Sequence, residues 1–477
     1  MGIETPDLVV IGLYMAALIG IGFFSSKQIQ SATDYALAGR GLKFPVLLGT
    51  LVGTVIGAAA TMGAAGKAFD IGYMVLVACI SYFIGYLILA RLAPRLRSMN
   101  ITSVPDVLHR RFGNRMRTVA SFVILAAVVL MFGLQLTAFG VVASTLLGDV
   151  GVSYETAILV GVAVILAYTL VGGLLAVAIT DLLQAVILII GIGFLLPVIL
   201  TIDIGGTALV WNALRNPPVN HDSTSNWLLY LAFIPTYIAV VVIDPTAWQR
   251  IAAAEKGRDV APALYATAGI YVAWSILIVC LGILAFHLYP DLESGDAAIA
   301  TLIFNHMPVV VKGLCLAAIM AAIMSTADTV LLIAGTTFSM DFVRGFKPQV
   351  SDNSLLIIGR VAITVVAIAG VWLALMRIEL FTIAFLTYGL MVAGLFIPVM
   401  AALFAKKATA GAALSAAVSG IAAFSVLHVL NFAGYSTGIE PVLAAIGISA
   451  IAFVMITHLD GGRSEIKTPS FPDLSED

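Results

Sequence analysis

Long apolar stretches separated by short polar ones run through almost the whole chain. A helix needs about 20 apolar residues to cross about 30 Å of hydrocarbon, and stretches of that length recur from Leu8 to Thr457. Backbone groups in lipid must bond within their own segment, so spans this long are helices rather than barrel strands. The pattern predicts thirteen membrane-spanning helices, at residues 8–24, 46–66, 73–92, 118–147, 155–171, 174–202, 227–244, 262–288, 309–340, 355–376, 380–404, 408–432 and 441–457.

Composition supports a membrane protein and excludes a soluble one. Of the 477 residues, 61% are hydrophobic and only 10% are charged, whereas soluble domains are about half apolar and about a quarter charged. The net charge of −2 gives no indication of a nucleic-acid partner. The three cysteines lie inside predicted spans, where buried thiols behave as small apolar residues.

The placement of basic residues predicts the orientation of the spans. With an external N-terminus, the segments 25–45, 91–117, 245–261, 341–360, 405–407 and the C-terminal tail fall inside, and they hold 20 of the 24 Lys and Arg residues. Such asymmetry is the positive-inside pattern. It predicts a multi-pass protein of the plasma (inner) membrane with its N-terminus outside and its C-terminus cytoplasmic. Because Glu4 and Asp7 precede the first span, we expect a retained helix rather than a signal peptide.

Two spans that lie five apart contain helix-weakening residues. The second span carries Gly49, Gly53, Gly57 and Gly63, and glycine lowers helix stability and allows close approach to the backbone. The seventh span, 227–244, has Pro235 in its middle and is followed by a proline. Transporters built from inverted repeats place their site where paired helices unwind. Helix packing is the alternative explanation, since Gly and Pro are common in membrane helices.

Buried carboxylates and hydroxyls mark the remaining candidate positions. Asp181 and Asp328 lie inside spans, where a carboxylate is costly and a functional candidate by default. Asp244 lies near a helix end, where hydration or capping of the next segment would explain it. At 100° per residue Ala322, Ser325, Thr326 and Thr329 share one helical face, with Asp328 at its edge. Hydroxyl and carbonyl oxygens suit a hard monovalent cation, although such hydroxyls also bond to their own helix.

Several motifs, in order along the chain, resemble the sodium:solute symporter family. They are Asp34-Tyr-Ala-Leu-Ala-Gly39-Arg40-Gly-Leu, the glycine-rich second span, Gly172-Gly173-Leu-Leu-Ala176-Val-Ala-Ile-Thr180-Asp181-Leu-Leu-Gln184, Gln249-Arg250 and Ala321-Ala322-Ile-Met-Ser325-Thr326. The resemblance implies an all-α membrane protein with a LeuT-type bundle of two inverted five-helix repeats and about thirteen transmembrane helices. It divides the chain into an extra helix and loop (1–45), a transport core (46–404), two further helices (405–459) and a cytoplasmic tail expected to be disordered (460–477).

The resemblance also implies ion sites. Matched by position, a sodium site takes the carbonyls of Gly53, Ile56 and Ala322 and the hydroxyls of Ser325 and Thr326. Some family members bind a second cation at positions that correspond to Asp181, Ser325 and Thr329. This chain departs from them at Asp328, where those members carry serine. The extra carboxylate would strengthen a second sodium site or take up a proton, and the sequence leaves both open.

The substrate pocket that the resemblance implies holds mostly neutral groups. Its candidates here are Thr54, Thr61, Ser81, Gln135, Thr137, Tyr237 and Tyr388. We find no Arg or Lys expected at pocket depth to hold a carboxylate, so a neutral or zwitterionic solute is as well supported as an organic acid. Asp244-Pro245-Thr246 also replaces the Asn-Gln of several sugar carriers, which weakens a sugar assignment.

Sodium-coupled import of a small organic solute by alternating access is the function these features predict. Na⁺ is then the coupling ion, lipid and a small solute are the partners, and a monomer is sufficient for transport. A proton-coupled carrier of the same fold is the main alternative, and a transporter-like membrane sensor is the next. We do not expect an enzyme, because no metal cluster or nucleophile constellation occurs in the sequence. A passive channel would need a continuous polar stripe, which the spans lack.

Overall fold

The architecture is helical throughout the described part of the chain. The computed structural model describes residues 3–27, 29, 31–147, 151–218, 227–435 and 438–461, so nearly all of the tail predicted to be disordered lies outside it. The first helices are α1 (Thr5–Ser26), α2 (Ala32–Leu37), α3 (Phe44–Val55), α4 (Ala64–Ile71), α5 (Leu76–Ser98), α6 (Val104–Phe112), α7 (Asn114–Leu147), α8 (Tyr154–Leu188), α9 (Leu196–Asp203) and α10 (Thr207–Arg215). They are followed by α11 (Trp227–Val242), α12 (Pro245–Ala253), α13 (Val260–Leu288), α14 (Ala298–His306), α15 (Val311–Thr336), α16 (Arg344–Phe346), α17 (Asp352–Ala374), α18 (Leu380–Met391), α19 (Ile397–Phe404), α20 (Ala410–Phe432) and α21 (Pro441–Leu459).

Helices that could span a membrane occur along the whole described part of the chain. By length and composition, 11 runs of these helices are long and apolar enough to cross a bilayer. The run Val311–Phe346, which contains α15, is the most enclosed. In its apolar stretch of 18 residues 94% of the residues are buried, whereas the share for α21 is 17%. Therefore α15 lies at the centre of the bundle and α21 at its edge. The number thirteen stays a prediction.

Helix α8 consists of two stretches, which both lie alongside α1 but run in opposite directions. Near the start of α8, Ala157 lines the same apolar groove as Leu8. Further along, a Cβ on Gly22 would lie 2.6 Å from the Cβ of Tyr168, and Gln184 donates to the hydroxyl of Tyr14. The chain therefore reverses between them, at the non-helical residue Gly173 (φ 56°, ψ −166°).

The break predicted in the second span is confirmed, and it lies between α3 and α4. Helix α3 ends at Val55, Ile56 leaves the helical region (φ −90°, ψ 60°), and a π-helical segment, Ala59–Gly63, leads into α4. Gly57 is required there because a Cβ would lie 2.1 Å from the Thr326 hydroxyl oxygen. The unwound backbone thus comes directly against α15.

The second break differs from the one predicted at Pro235. Pro235 lies inside the continuous helix α11, and the interruption falls at Ile243 and Asp244. The side chain of Asp244 caps α12 by accepting from the Thr246 backbone N–H at 2.9 Å. Helix α12 is buried along its inner residues, so the first half of the segment 245–261, interpreted above as a cytoplasmic loop, belongs to the bundle. Capping had been one of the two expectations for Asp244, and the structure confirms it.

Candidate ion and substrate sites

The hydroxyl pair on α15 faces the unwound end of α3. Ser325 donates to the Gly53 carbonyl at 2.7 Å and lies 3.2 Å from the Ala322 carbonyl. Thr326 donates to the Thr54 carbonyl at 3.0 Å. Four of the five residues predicted to bind sodium are therefore in contact, and the fifth, Ile56, is the residue at the break. The arrangement offers neutral oxygens without a formal charge, which suits a monovalent hard cation that must leave again.

One helical turn further along α15 lies a charged cluster. Arg250, on the buried helix α12, is fully enclosed and lies 3.4 Å from Asp181 Oδ2. Its guanidinium also donates to the Thr329 hydroxyl at 2.5 Å and to the Thr50 hydroxyl at 3.1 Å. Thr50 in turn donates to Asp181. The sequence had placed Arg250 among cytoplasmic loop charges, which is wrong; only its Gln-Arg motif indicated a special role.

Asp328 belongs to the same cluster but has no cation in contact among the described residues. Its Oδ2 accepts from the Tyr168 hydroxyl at 3.0 Å, and the side chain is fully buried. Thr54 connects this cluster to the candidate sodium site. Its carbonyl accepts from Thr326, and its hydroxyl lies 3.3 Å from that of Thr329 and 3.4 Å from Asp181 Oδ2. The ion candidates thus form a continuous polar strip between α3, α8, α12 and α15.

A cavity opens beside the broken helix and is lined mainly by apolar and aromatic side chains. Its aromatic residues are Tyr82, Tyr237, Tyr271, Phe381 and Tyr388. The rings contact one another, with centroids 4.9 Å apart for Tyr82 and Tyr271 and 5.5 Å for Tyr237 and Tyr388. Asp244 is the one carboxylate among the lining residues, which include neither Lys nor Arg.

Four of the seven predicted pocket residues line this cavity. They are Thr54, Gln135, Tyr237 and Tyr388. Gln135 also braces the break, because its side-chain oxygen accepts from the Ala58 backbone N–H at 3.2 Å.

The structure does not bring the other three to the cavity. The hydroxyls of Ser81 and Thr137 donate to carbonyls of their own helices, at Val77 and Gly133, and Thr61 is fully buried elsewhere. Helical phase decides this, since a span of small residues does not reveal which side faces the opening. The sequence analysis did not identify Tyr82, Tyr271 and Phe381 as lining residues. Aromatic residues are too common in the predicted spans for their presence alone to indicate a pocket.

Comparison with known proteins decides the family. The model of the Sodium:solute symporter family matches residues 35–420. The chain belongs to the sodium:solute symporter family. The sodium/proline symporter of Escherichia coli (strain K12) is 30% identical to it over 411 residues, which cover 78% of each chain. The osmoregulated proline transporter of Bacillus subtilis (strain 168) is 27% identical over 483 residues, covering 95% of this symporter and 94% of the relative. The sodium/glucose cotransporter of Vibrio parahaemolyticus is 26% identical over 481 residues, covering 88% and 84%.

Solved structures show that this symporter has the LeuT-type fold. A Na⁺-coupled sialic acid symporter, in a substrate-bound outward-open state, aligns with a TM-score of 0.79 at 20% identity and covers 96% of this chain and 98% of that one. MhsT in complex with L-phenylalanine aligns with a TM-score of 0.58 at 12% identity, covering 87% and 97%. The protein is therefore a multi-pass membrane symporter that imports a small solute coupled to sodium, and it is not an enzyme.

Proposed function

We propose that this symporter carries a small zwitterionic solute and binds its coupling Na⁺ at Gly53, Ile56, Ala322, Ser325 and Thr326. The observation that carries the proposal is the contact of the Ser325 and Thr326 hydroxyls with carbonyls at the unwound end of α3. Carbonyls freed at a helix break and adjacent hydroxyls supply hard oxygen ligands at the midplane, where transporters of this architecture bind their ions.

Coupling follows from the position of Thr326. Its side chain contacts the Thr54 carbonyl and also lines the aromatic cavity. A sodium ion that pulls α3 and α15 together therefore shapes one wall of the substrate cavity. An ion and a solute that both favour the same arrangement raise each other's affinity, which is the thermodynamic requirement for symport.

The charge and aromatic character of the cavity favour a solute that carries an amine. Asp244 and four tyrosine rings line it, and a cation over such rings is stabilised by about 0.5–2 kcal/mol. The unwound segment beside the proposed sodium ion also lines the cavity, and that ion would attract a carboxylate. Two of the three relatives named above are proline transporters, and proline has both groups in the charge states required.

Orientation and assembly stay proposals. The basic residues of the predicted inner segments favour an external N-terminus, a cytoplasmic C-terminus and a plasma (inner) membrane location. A monomer is sufficient in this proposal, because the ion and solute sites are built from one chain. A carrier driven by protons alone is not favoured, since the family couples to sodium.

Uptake into proteoliposomes tests the proposal. L-Proline, glycine betaine, D-glucose and pantothenate are compared as labelled solutes, with an inward Na⁺ gradient or with K⁺ in its place. We expect sodium-dependent uptake of a zwitterion and none of the sugar. Sodium-dependent uptake of glucose or pantothenate alone would overturn the substrate class, and zwitterion uptake unaffected by replacing Na⁺ would overturn the ion assignment.

A further inference from the structure

An apolar groove lies between α1, α7, α8 and α15, apart from the ion sites and the aromatic cavity. Its volume is about 300 Å³, and every described residue that lines it is apolar except Thr156. The Thr156 hydroxyl already lies 3.1 Å from the Ser153 hydroxyl. A cavity with such walls offers water no partners and stays dry, but it binds hydrocarbon. An apolar occupant would restore the dispersion contacts that an empty groove lacks.

Two residues of the groove, Leu8 and Val160, face the bilayer. Their side chains are 48% and 55% exposed, and both lie in helices long and apolar enough to cross a membrane. Along α8 the lining residues extend from Thr156 to Val164, which is about 12 Å of helix. One leaflet contributes half of the hydrocarbon thickness, or about 15 Å. The groove therefore matches the hydrocarbon depth of a single leaflet.

Contacts near both ends of the groove hold α1 against α15. At one end the Asp7 carboxylate accepts from the backbone N–H groups of Val310 and Gly313, at 2.8 and 2.9 Å. At the other end the Tyr14 hydroxyl donates to the Met324 sulfur at 3.9 Å. Asp7 and Tyr14 bracket most of the stretch of α1 that lines the groove. The space between the two helices is therefore set by specific contacts and is not left by loose packing.

Helix α15 forms the innermost wall of the groove through Leu316 and Met320. This helix lies at the centre of the bundle, so the groove brings it within reach of the membrane. At 100° per residue, Leu316 lies about 180° and Met320 about 140° around the helix from Ser325. An occupant of the groove therefore packs against the side of α15 that is turned away from the proposed sodium site.

We propose that this groove binds one acyl chain of a membrane phospholipid, and that the bound chain supports α15 from the side opposite Ser325. A phospholipid is the occupant that fits, because the groove borders the membrane interior, has the depth of one leaflet and is lined by apolar side chains. The site is separate from the proposed sodium and solute sites, and the binding does not depend on them.

Photochemical cross-linking of a phospholipid tests the site in the full chain. We reconstitute the protein in liposomes with a trace of phosphatidylcholine that carries a diazirine midway along one acyl chain, irradiate, and locate the modified residues by peptide mass spectrometry. We expect modification of Leu316 and Met320. Surrounding lipid contacts only exposed side chains, whereas Leu316 is 1% exposed, so modification of Leu316 reports a chain inserted in the groove.

Ala143→Phe is the variant that fills the groove. Ala143 lines the groove from α7 and is only partly buried, so a phenyl ring can enter the space without displacing the core. We expect at least about tenfold less modification of Leu316 and Met320, because the ring excludes the acyl chain. Val365→Phe is the control, since it adds the same ring at a 59% exposed position of α17. It should leave the modification of α15 unchanged.

Each alternative result overturns the proposal in a different way. Modification confined to exposed residues, or equal modification of α15 in Ala143→Phe and the unmodified chain, shows that no chain enters the groove. Modification of α15 by a diazirine fatty acid but not by the phospholipid assigns the groove to another occupant. Loss of the modification as the protein density in the liposomes rises assigns it to a second copy of this chain.

Discussion

Helix α15 carries two polar sites one turn apart that differ in every electrostatic respect. At Ser325 and Thr326 the groups are neutral, and they contact the backbone carbonyls of Gly53 and Thr54. Around Asp328 the groups include two carboxyl groups and a guanidinium, all fully buried, with contacts to α8 and α12 through Tyr168, Asp181 and Arg250. A single helix therefore contacts the unwound end of α3 with neutral hydroxyls and places a carboxyl group, Asp328, against Tyr168 of α8.

The difference indicates that the two sites have different roles during transport. A neutral site can lose its ion without leaving a buried charge, and its partner α3 is already unwound. The charged cluster cannot be rearranged so cheaply, because separating a buried ion pair leaves an uncompensated charge. We therefore expect Ser325 and Thr326 to move relative to α3 during transport, while Asp181 and Arg250 stay together as part of the scaffold.

Removing the guanidinium is the most severe way to break this comparison. Arg250→Met would leave Asp181 buried without a cation in contact, and losing one member of a buried pair costs about 3–5 kcal/mol. We expect a strong fall in folded yield and in thermal stability, measured by size-exclusion chromatography and unfolding in detergent. The matched variant Arg250→Met/Asp181→Asn removes one carboxylate as well and should recover part of the loss. A double variant no better than the single one would contradict the pairing.

Removing the neutral oxygens should leave the fold nearly intact and affect the ion instead. In Ser325→Ala/Thr326→Ala we expect the sodium concentration for half-maximal uptake to rise at least about tenfold, since two of five proposed ligands are lost. Each hydroxyl contributes only about 1 kcal/mol to stability, so expression should change little. Thr336→Ala, on the same helix, is the control, because that hydroxyl bonds only to α15 carbonyls. Unaltered sodium activation in the double variant would refute the assignment.

The neutral site was more predictable from sequence than the charged one. Glycines in the second span and adjacent hydroxyls in the ninth are local signals, and the structure brings Gly53 and Ser325 into contact. Arg250 was misplaced because a basic residue just beyond an apolar stretch has the same pattern as a topology anchor. Its burial depends on α12 folding back into the bundle after Asp244, and hydropathy contains no information about that turn.

Side-chain partners set a second limit on prediction. The spacing from Asp181 to Gln184 places both on one face of α8, but nothing in the sequence shows that Tyr14, 170 residues away, supports that face. Likewise, proline disrupts a helix more strongly than isoleucine does, yet α11 continues through Pro235 and ends just before Ile243. Tertiary contacts decide which helix opens, and they become visible only once the helices are packed.

Asp296 is a buried carboxyl group outside the spans. It extends the comparison, because the cost of burying its charge is offset in a different way. Its Oδ2 accepts from the Leu380 backbone N–H at 3.1 Å, at the start of the helix that carries Tyr388. Burial raises the pKa of Asp296 from 3.8 to about 7; Glu379 and Asp70 add to the rise, and Lys67 opposes it. Unlike Asp181, this carboxylate relies on a proton rather than on a buried guanidinium.

A raised carboxyl pKa means that the folded state binds the proton more tightly than the unfolded state does. The resulting stabilisation is complete below the unfolded pKa and is lost as pH rises toward about 7. We expect the free energy of unfolding to fall by about 2 kcal/mol between about pH 5 and about pH 7, and Asp296→Asn to remove that part of the pH dependence. Asn keeps an acceptor for the Leu380 N–H, and Asp291→Asn, at an exposed position of the same loop, serves as the control. Thermal unfolding across this pH range provides the measurement, and equal slopes for Asp296→Asn and the unmodified chain would show that Asp296 is ionised throughout. Solute uptake at constant pH should change least of all, because neither ion site includes this residue.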